Sequence, residues 1–344
     1  MSADVRRLDL ADAGAVRACY ETHIAAMRAD DPFEPPQSLT RFTARLVAGP
    51  TEPLREAWYV RDEADGAVAG WYQVDFPDPE NRDRVWFSLT VHPARRRAGL
   101  GTALLRHAAR RAAAAAGRAI LDAGVQEGSA GEAFALRAGA TLGKNADVRR
   151  VIDVTTVPAG SIARLRDAAE RAAAGYSLER WTGVVPDDRL EQVAALHNAL
   201  NDAPMDPGVE ATAWTAERVR DQMNARIVRA PSRRHALAAV HDASGEMAAL
   251  TVVSVDPAVP DWGNQLITAV TRPHRGHRLG MLTKAAMMEW LAEAEPAMRR
   301  IVTWNAASNR YMIAVNEELG YEVWGRPYRG AELPVSSVVE PEPA

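Results

Sequence analysis

Apolar and polar positions along the chain fall into the two short periods of regular secondary structure, and they do so twice in the same order. Runs such as AVAGWYQVDF and TVVSV alternate or stay apolar, as half-buried or fully buried strands do. Segments with apolar residues three and four apart read as helices with one buried face, and Gly117 and Pro296 mark stops. The first half predicts an opening strand at 5–9, helices at 11–29 and 37–48, and strands at 57–61, 67–76 and 84–91. A helix at 99–116, a strand at 118–123, a short helix at 130–138 and a final strand complete it. The second half predicts a strand at 178–183, helices at 187–200 and 214–227, and strands at 235–241, 247–255 and 264–270. A helix at 279–294, a strand at 299–304, a helix at 308–318 and a last strand follow.

The repetition extends to residue identity. Val91 and Val270, Arg96 and Arg275, Leu100 and Leu279, and Gly101 and Gly280 all share one spacing. Ile120 with Ile301 and Gly139 with Gly320 share a spacing two residues longer. The pattern predicts two copies of one α/β domain, at 1–157 and 178–334. A linker helix spans 158–177, and 335–344, rich in Pro and Glu, forms a flexible tail. The expected fold is α/β (α+β), with each domain a mixed, mostly antiparallel twisted sheet flanked by helices.

The chemistry concentrates where the third meander strand of each half runs into a basic turn and a helix. Free N–H groups at a helix start, together with the helix dipole, make such a turn an anion site. In the first half, LTVHPARRRAGLGTALL offers Arg96, Arg97, Gly99, Gly101 and Thr102 beside Val91. In the second, ITAVTRPHRGHRLGMLTK offers Arg275, Gly276, His277, Arg278 and Gly280 beside Val270. The spacing differs from that of a P-loop and from the dinucleotide fingerprint.

These turns resemble the signature of the GNAT superfamily of N-acetyltransferases, R/Q-x-x-G-x-G/A after the fourth strand. Arg96, Gly99 and Gly101 fit it in full, whereas Arg278 stands where the first glycine of the second copy belongs. The second half also resembles a GNAT subgroup through Thr303, Asn305, Asn309, Met312, Val315, Asn316, Leu319, Gly320 and Tyr321. The resemblance covers nearly the whole chain twice. It implies acetyl-CoA as co-substrate, with its pantetheine arm in the gap between the splayed fourth and fifth strands and its thioester where they diverge, near Thr90–Val91 or Ala269–Val270. It implies direct attack of a primary amine of a small molecule on the thioester, with no acyl-enzyme. Many members place a tyrosine in the last helix as acid toward the thiolate. Here Ala135 and Asn316 stand at that position.

Other candidate residues come from the strand ends and turns. Asp75 and Asp256 are candidate bases or strand-end turn residues. Asn305 and Asn309 are candidates for contact with substrate or cofactor amides, and Asn309 also suits a helix cap. The acceptor wall would be formed by ADDPFEPPQS and NDAPMDPG, bringing Asp30, Asp31, Glu34, Asp202 and Asp206. These carboxylates would hold a cationic amine or cap helices.

Composition narrows the classes. With 47% hydrophobic and 25% charged residues the chain reads as globular, and 344 residues suffice for two cores. A net charge of −4 gives no field for nucleic acid or an anionic membrane. A single cysteine, Cys19, and eight scattered histidines leave no disulfide and no metal site. No secretory leader or membrane span is expected, so the reading is a cytoplasmic monomer or homodimer. The alternatives are a degenerate pair that binds acyl-CoA as sensor or scaffold, and an aminoacyl-tRNA-dependent transferase. The lack of a basic surface argues against the second.

Overall fold

The computed structural model describes residues 4–202, 208–230 and 232–339. The elements follow the predicted order closely. The first series is β1 (Val5–Arg7), α1 (Ala13–Asp30), α2 (Leu39–Leu46), β2 (Leu54–Arg61), β3 (Val68–Phe76), β4 (Arg84–Val91), α3 (Leu100–Ala113), β5 (Ile120–Gln126), α4 (Ala130–Arg137) and β6 (Thr141–Asp153). The second begins with α5 (Ser161–Ala172), β7 (Tyr176–Thr182) and α6 (Leu190–Asn198). Next comes a broken helix of α7 (Ala216–Arg218), a π-helical turn at Val219–Asn224 and α8 (Ala225–Arg229). Then follow β8 (Arg233–His241), β9 (Met247–Val255), β10 (Trp262–Val270), α9 (Leu279–Ala294), β11 (Arg300–Ala306), α10 (Arg310–Leu319), β12 (Glu322–Val323) and β13 (Tyr328–Pro334). Local chemistry sets several starts. Asp12, Ser38, Ser129 and Asn309 each accept a backbone N–H in the first turn of the helix they cap.

The chain divides into two compact units, but not at the expected boundaries. Unit 1 is Met1–Ala146 with Asp206–Glu210 and Gly325–Ala344; unit 2 is Asp147–Met205 with Ala211–Trp324. In unit 1 the strand beside β5 is β13, paired antiparallel from Tyr328↔Gln126 to Pro334↔Ile120. Its sheet runs β1-β2-β3-β4-β5-β13. In unit 2 the strand beside β11 is the second part of β6, paired from Asp147↔Ala306 to Asp153↔Arg300. That sheet runs β7-β8-β9-β10-β11-β6, with β12 on the far edge of β6. Each unit thus completes its sheet with a strand from the other end of the repeat.

The expected linker is a packed helix: Ala169 and Ala173 are buried in the unit 2 core with α9. The expected tail is ordered as far as it is described, with Val335 buried and Val338 and Val339 packed on the core under α3. In each unit helices cover both sheet faces. Unit 1 packs α1 and α2 on one face and α3 on the other, around Cys19, Phe42 and Trp71 and around Tyr72, Val85 and Leu104. Unit 2 packs α6 on one face and α5, α9 and α10 on the other. Among the described residues no helix is long and apolar enough to cross a membrane, and no three His, Cys, Asp or Glu side chains are grouped to hold a metal.

Candidate functional site

Strands β4 and β5 run parallel and pair only through Arg84↔Ile120, Val85↔Leu121 and Trp86↔Asp122, although both continue beyond. Strands β10 and β11 pair only through Trp262↔Arg300, Gly263↔Ile301 and Asn264↔Val302. A cleft therefore opens in each sheet, as the resemblance implied, with a row of unpaired backbone groups along its edges. It begins at Trp86 and Asn264, several residues before the expected Thr90–Val91 and Ala269–Val270, because pairing has already ended there. A register shift of β10 against β9 between Gln265 and Ile267 helps turn that strand away.

At the far end of each cleft the chain enters the anion-type loop, and the two loops share one backbone conformation. Arg97 and Gly99 have φ of 70° and 82°; the equivalent Gly276 and Arg278 have φ of 92° and 53°. Glycine and arginine have exchanged places while both left-handed positions are kept. Gly99 and Arg278 then cap α3 and α9 without a side-chain bond, leaving the first-turn N–H groups of each helix for a ligand.

The signature arginines are fastened. Arg96 donates to both carboxylate oxygens of Asp30, at 2.7 and 2.6 Å, and its Nε donates to the Val91 carbonyl at 3.2 Å. Arg275 repeats this, donating to Asp202 at 2.7 Å and to the Val270 carbonyl at 3.4 Å. Arg272 also reaches Asp202, and these hydrogen bonds hold the Asp202 carboxyl below the usual carboxylate range. Asp202, expected on the acceptor wall, anchors the loop, and Arg96 and Arg275 set loop shape. The exposed Arg97 and His277 are the basic side chains at the mouth, with His277 against the Tyr176 ring. Arg278 turns its guanidinium to Glu318, at 2.7 Å.

Two cavities adjoin the loops. In unit 2 one of 450 Å³ gathers Val270, Arg275, Gly276, Asp202 and Asn309, with Leu279 and Tyr311. Gly280 faces Val270 and Tyr311 without crowding. In unit 1 one of 430 Å³ lies between α3, α4 and residues 336–339, lined by Thr102, Arg106, Phe134 and Arg137. A Cβ on Gly101 would stand 3.3 Å from the Phe134 ring, so the glycine lets the helix start close to it.

The candidate bases do not stand free. Asp75 pairs with Arg55 and accepts from Gln73. Asp256 is buried and accepts from the Ala258 N–H in a turn, the ordinary strand-end role. Asn309 caps α10, accepting from Met312 N–H at 3.2 Å, and also lines the unit 2 cavity. Asn305 accepts from Asn316 at 2.7 Å. Asp31 is buried and accepts from the Tyr328 hydroxyl at 3.1 Å, while Glu34 is half-buried in the turn that follows. Asp206 lies outside the described residues.

Sequence reasoning missed several groups. Lys284 on α9 is 2% exposed; its Nζ donates to Gln265 at 3.3 Å, stands 4.8 Å from the Tyr321 ring centre, and burial pulls its pKa down to about 7. Trp86 is 42% exposed at the apex of the unit 1 cleft, opposite Asp122. The helical pattern around Lys284 and the apolar run through Trp86 had masked both. Arg326, donating to the Asp30 carbonyl and to Gln126, reaches unit 1 only through the course of β13.

Comparison with known proteins agrees with this geometry. Residues 17–139 match the acetyltransferase (GNAT) family. A tandem GNAT protein from the clavulanic acid biosynthesis pathway, solved without acetyl-CoA, superposes with a TM-score of 0.79 at 28% identity over 99% of both chains. A GCN5-related N-acetyltransferase from Sphaerobacter thermophilus shares the fold at TM-score 0.65 and 18% identity, over 96% of this chain and 95% of its own. A GCN5-related glucosamine N-acetyltransferase region of a fungal multi-domain GH3 β-N-acetylglucosaminidase does so at 0.63 and 16%, over 96% of this chain and 38% of that one. No curated protein sequence matches.

Proposed function

Starting from a chain that is a tandem of two GNAT-superfamily domains, we propose that it transfers an acetyl group from acetyl-CoA to the primary amine of a small molecule. The observation that carries this reading is the paired cleft and loop. Both units keep two left-handed residues before the helix, at 97 and 99 and at 276 and 278, although in each unit one of them is an arginine. A pyrophosphate would lie on the free N–H groups of α3 or α9, with the pantetheine along the unpaired edge of β4 or β10. In the reaction the substrate ammonium first gives one proton to solvent. The free amine nitrogen then bonds to the thioester carbonyl carbon, the carbon–sulfur bond breaks, and the second proton shed by nitrogen ends on the departing thiolate to give the thiol. Holding two reactants in one cleft supplies much of the rate.

A second reading, in which unit 2 is scaffold, is favoured by one contact: the Arg278–Glu318 pair beside its loop. Calorimetric titration with acetyl-CoA separates the two. Two sites per chain support two live loops; one site, lost on mutation of Gly99, makes unit 2 the scaffold. No heat of binding would sink the acyl-CoA reading.

A further inference from the structure

The edge of the cleft is built differently in the two units. In unit 1, β4 pairs with β3 without a break from Gly70↔Val91 to Asp75↔Trp86. The β4 residues in the core under α3 are Val85, Phe87, Leu89 and Val91, all apolar and packed with Leu105 of the helix. In unit 2, β10 carries one residue too many for β9. Gln265 sits opposite Val253 and Ile267 opposite Val252, so Leu266 has no register partner there, and pairing with β11 has already ended at Asn264. The extra residue resets the alternation, so that Gln265 before it and Thr268 after it meet at one buried side chain, that of Thr251.

The Gln265 amide closes the break in the ladder. Its Nε2 donates to the Val252 carbonyl on β9 and to the Ile267 carbonyl on β10, both at 2.9 Å, and stands 2.9 Å from Thr251 Oγ1. Two hydrogens are shared among these three acceptors, and the two carbonyls fix which way round the amide stands. On its other side Gln265 Oε1 accepts from Lys284 Nζ at 3.3 Å; Lys284 is 2% exposed on α9 and lies over the Tyr321 ring. Thr251 passes the contact on to Thr268, hydroxyl to hydroxyl at 2.9 Å, and Thr268 lines the 450 Å³ cavity with Ala269, Val270 and Leu279. A continuous chain of polar side chains thus runs from a buried lysine, across the kink, to the cavity wall. Burying an amine and an amide is costly, and unit 1 forms its own β3–β4 ladder with no such group.

We propose that Gln265 is a positioning residue of the unit 2 cleft, with Lys284 as its brace: the amide stitches β9 to β10 across the extra residue and so fixes the kinked backbone edge at 266–268 against which the pantetheine arm of acetyl-CoA is laid. The straight β4 of unit 1, with its apolar lining, has no such device. The inference rests on the acyl-CoA reading for what the edge holds, whereas the stitch itself stands on the geometry alone.

The test uses the full chain carrying Gly99→Trp, so that the acetyl-CoA site left is that of unit 2. On it are placed Gln265→Leu, Lys284→Met and the two together. Calorimetry gives acetyl-CoA affinity, guanidinium unfolding gives stability, and hydrogen exchange without ligand follows the amides at 264–268. Gln265→Leu strands the Lys284 amine, so it should unfold at lower denaturant and bind acetyl-CoA about tenfold more weakly, the worth of about one hydrogen bond along the edge. Lys284→Met keeps the stitch but loses its brace and should weaken binding about threefold. The double variant has an apolar lining like that of unit 1, so its stability should return. Its affinity should stay about tenfold down, with exchange at 264–268 altered, because the stitch is still missing. A double variant that regains affinity along with stability would reduce the network to a stabilising role and overturn the proposal. So would an affinity unmoved by Gln265→Leu, unaltered exchange at 264–268, or loss of every site once Gly99→Trp is in place. Altered exchange in a chain that binds no acetyl-CoA even without these substitutions would keep the stitch and remove the acyl-CoA reading instead.

Discussion

Lys284→Met should stabilise the protein at neutral pH and lose that advantage as pH rises. Lys284 is 2% exposed, and burial alone lowers its pKa from 10.5 to about 7. Its neighbours are the Gln265 carbonyl oxygen and the Tyr321 ring, neither of which carries a charge at neutral pH. The unfolded chain keeps the ordinary lysine pKa, so between about pH 7 and 10.5 it binds more protons than the folded chain. Unfolding free energy from this group therefore rises with pH through that window and is flat below it. The whole shift corresponds to roughly 5 kcal/mol, of which roughly 3 kcal/mol should appear between pH 7 and pH 9.5. Methionine fills a similar volume without a charge, at the constant cost of about 1 kcal/mol for leaving Gln265 Oε1 unpaired. Guanidinium unfolding of both proteins, followed by tryptophan fluorescence at matched pH values, isolates the effect, because every other titrating group is common to the two. The wild-type chain should gain on the variant steadily from pH 7 to pH 9.5. Parallel stability curves, with a difference constant to within about 1 kcal/mol, would refute a neutral buried lysine.

Gly99→Trp puts a large side chain at φ 82°, costing about 1–2 kcal/mol of backbone strain, and covers the approach to the α3 N-terminus. One acetyl-CoA site should vanish in calorimetry while the fold survives by circular dichroism. Arg278→Gly removes the strain of an arginine at φ 53° along with a half-exposed ion pair to Glu318 of little worth. Stability should move by less than about 1 kcal/mol and unit 2 affinity should hold or improve, with a large loss meaning that the guanidinium itself binds phosphate. Ending the chain after Trp324 strips β13 from β5 and takes Leu333 and Val335 from the unit 1 core, about 2 kcal/mol each before any ladder bond is counted. Hydrogen exchange should then find β4 and β5 open while β8 and β9 stay protected.

What was legible in the sequence was local. The strand–loop–helix passages around Arg96 and Arg275 carry their periodicity, turn residues and charges within one short stretch, so their fold and their anion-site character could be read directly. What was not legible depends on distant pairing. Nothing in the alternation of YRGAELP says that it joins β5 rather than β11, yet that choice brings Tyr328, Glu332 and Arg326 into unit 1. The acidic turns misled for the same reason. Asp30 and Asp202 looked like free carboxylates, because their arginine partners lie far along the chain and meet them only across the folded loop. Lys284 was hidden by its setting, since a lone lysine in a helix normally faces water, and only packing reveals that this stretch of α9 is buried all round.

The repeat preserves backbone conformation more faithfully than residue identity, and this is the strongest structural argument that the loops bind something. A left-handed conformation costs an arginine roughly 1–2 kcal/mol that glycine would avoid. Unit 1 bears that cost at Arg97 and unit 2 bears it at Arg278, while the partner position is glycine in each. If the turns served only to join a strand to a helix, either arginine could relax toward an ordinary type I turn with no loss. Strain kept at two equivalent places, by opposite assignments of the same two residue types, requires a surrounding structure that demands the shape. The demand is visible in both units: an arginine one residue before the first left-handed position ties the loop back to its own strand, through Val91 in one and Val270 in the other, and across to Asp30 at the end of α1 or Asp202 in the turn after α6. What this scaffolding secures is a row of N–H groups facing outward at the start of α3 and α9. Side chains elsewhere have diverged freely, even in the core, as Leu105 and Lys284 at one repeat position illustrate, while the two loops keep one backbone shape.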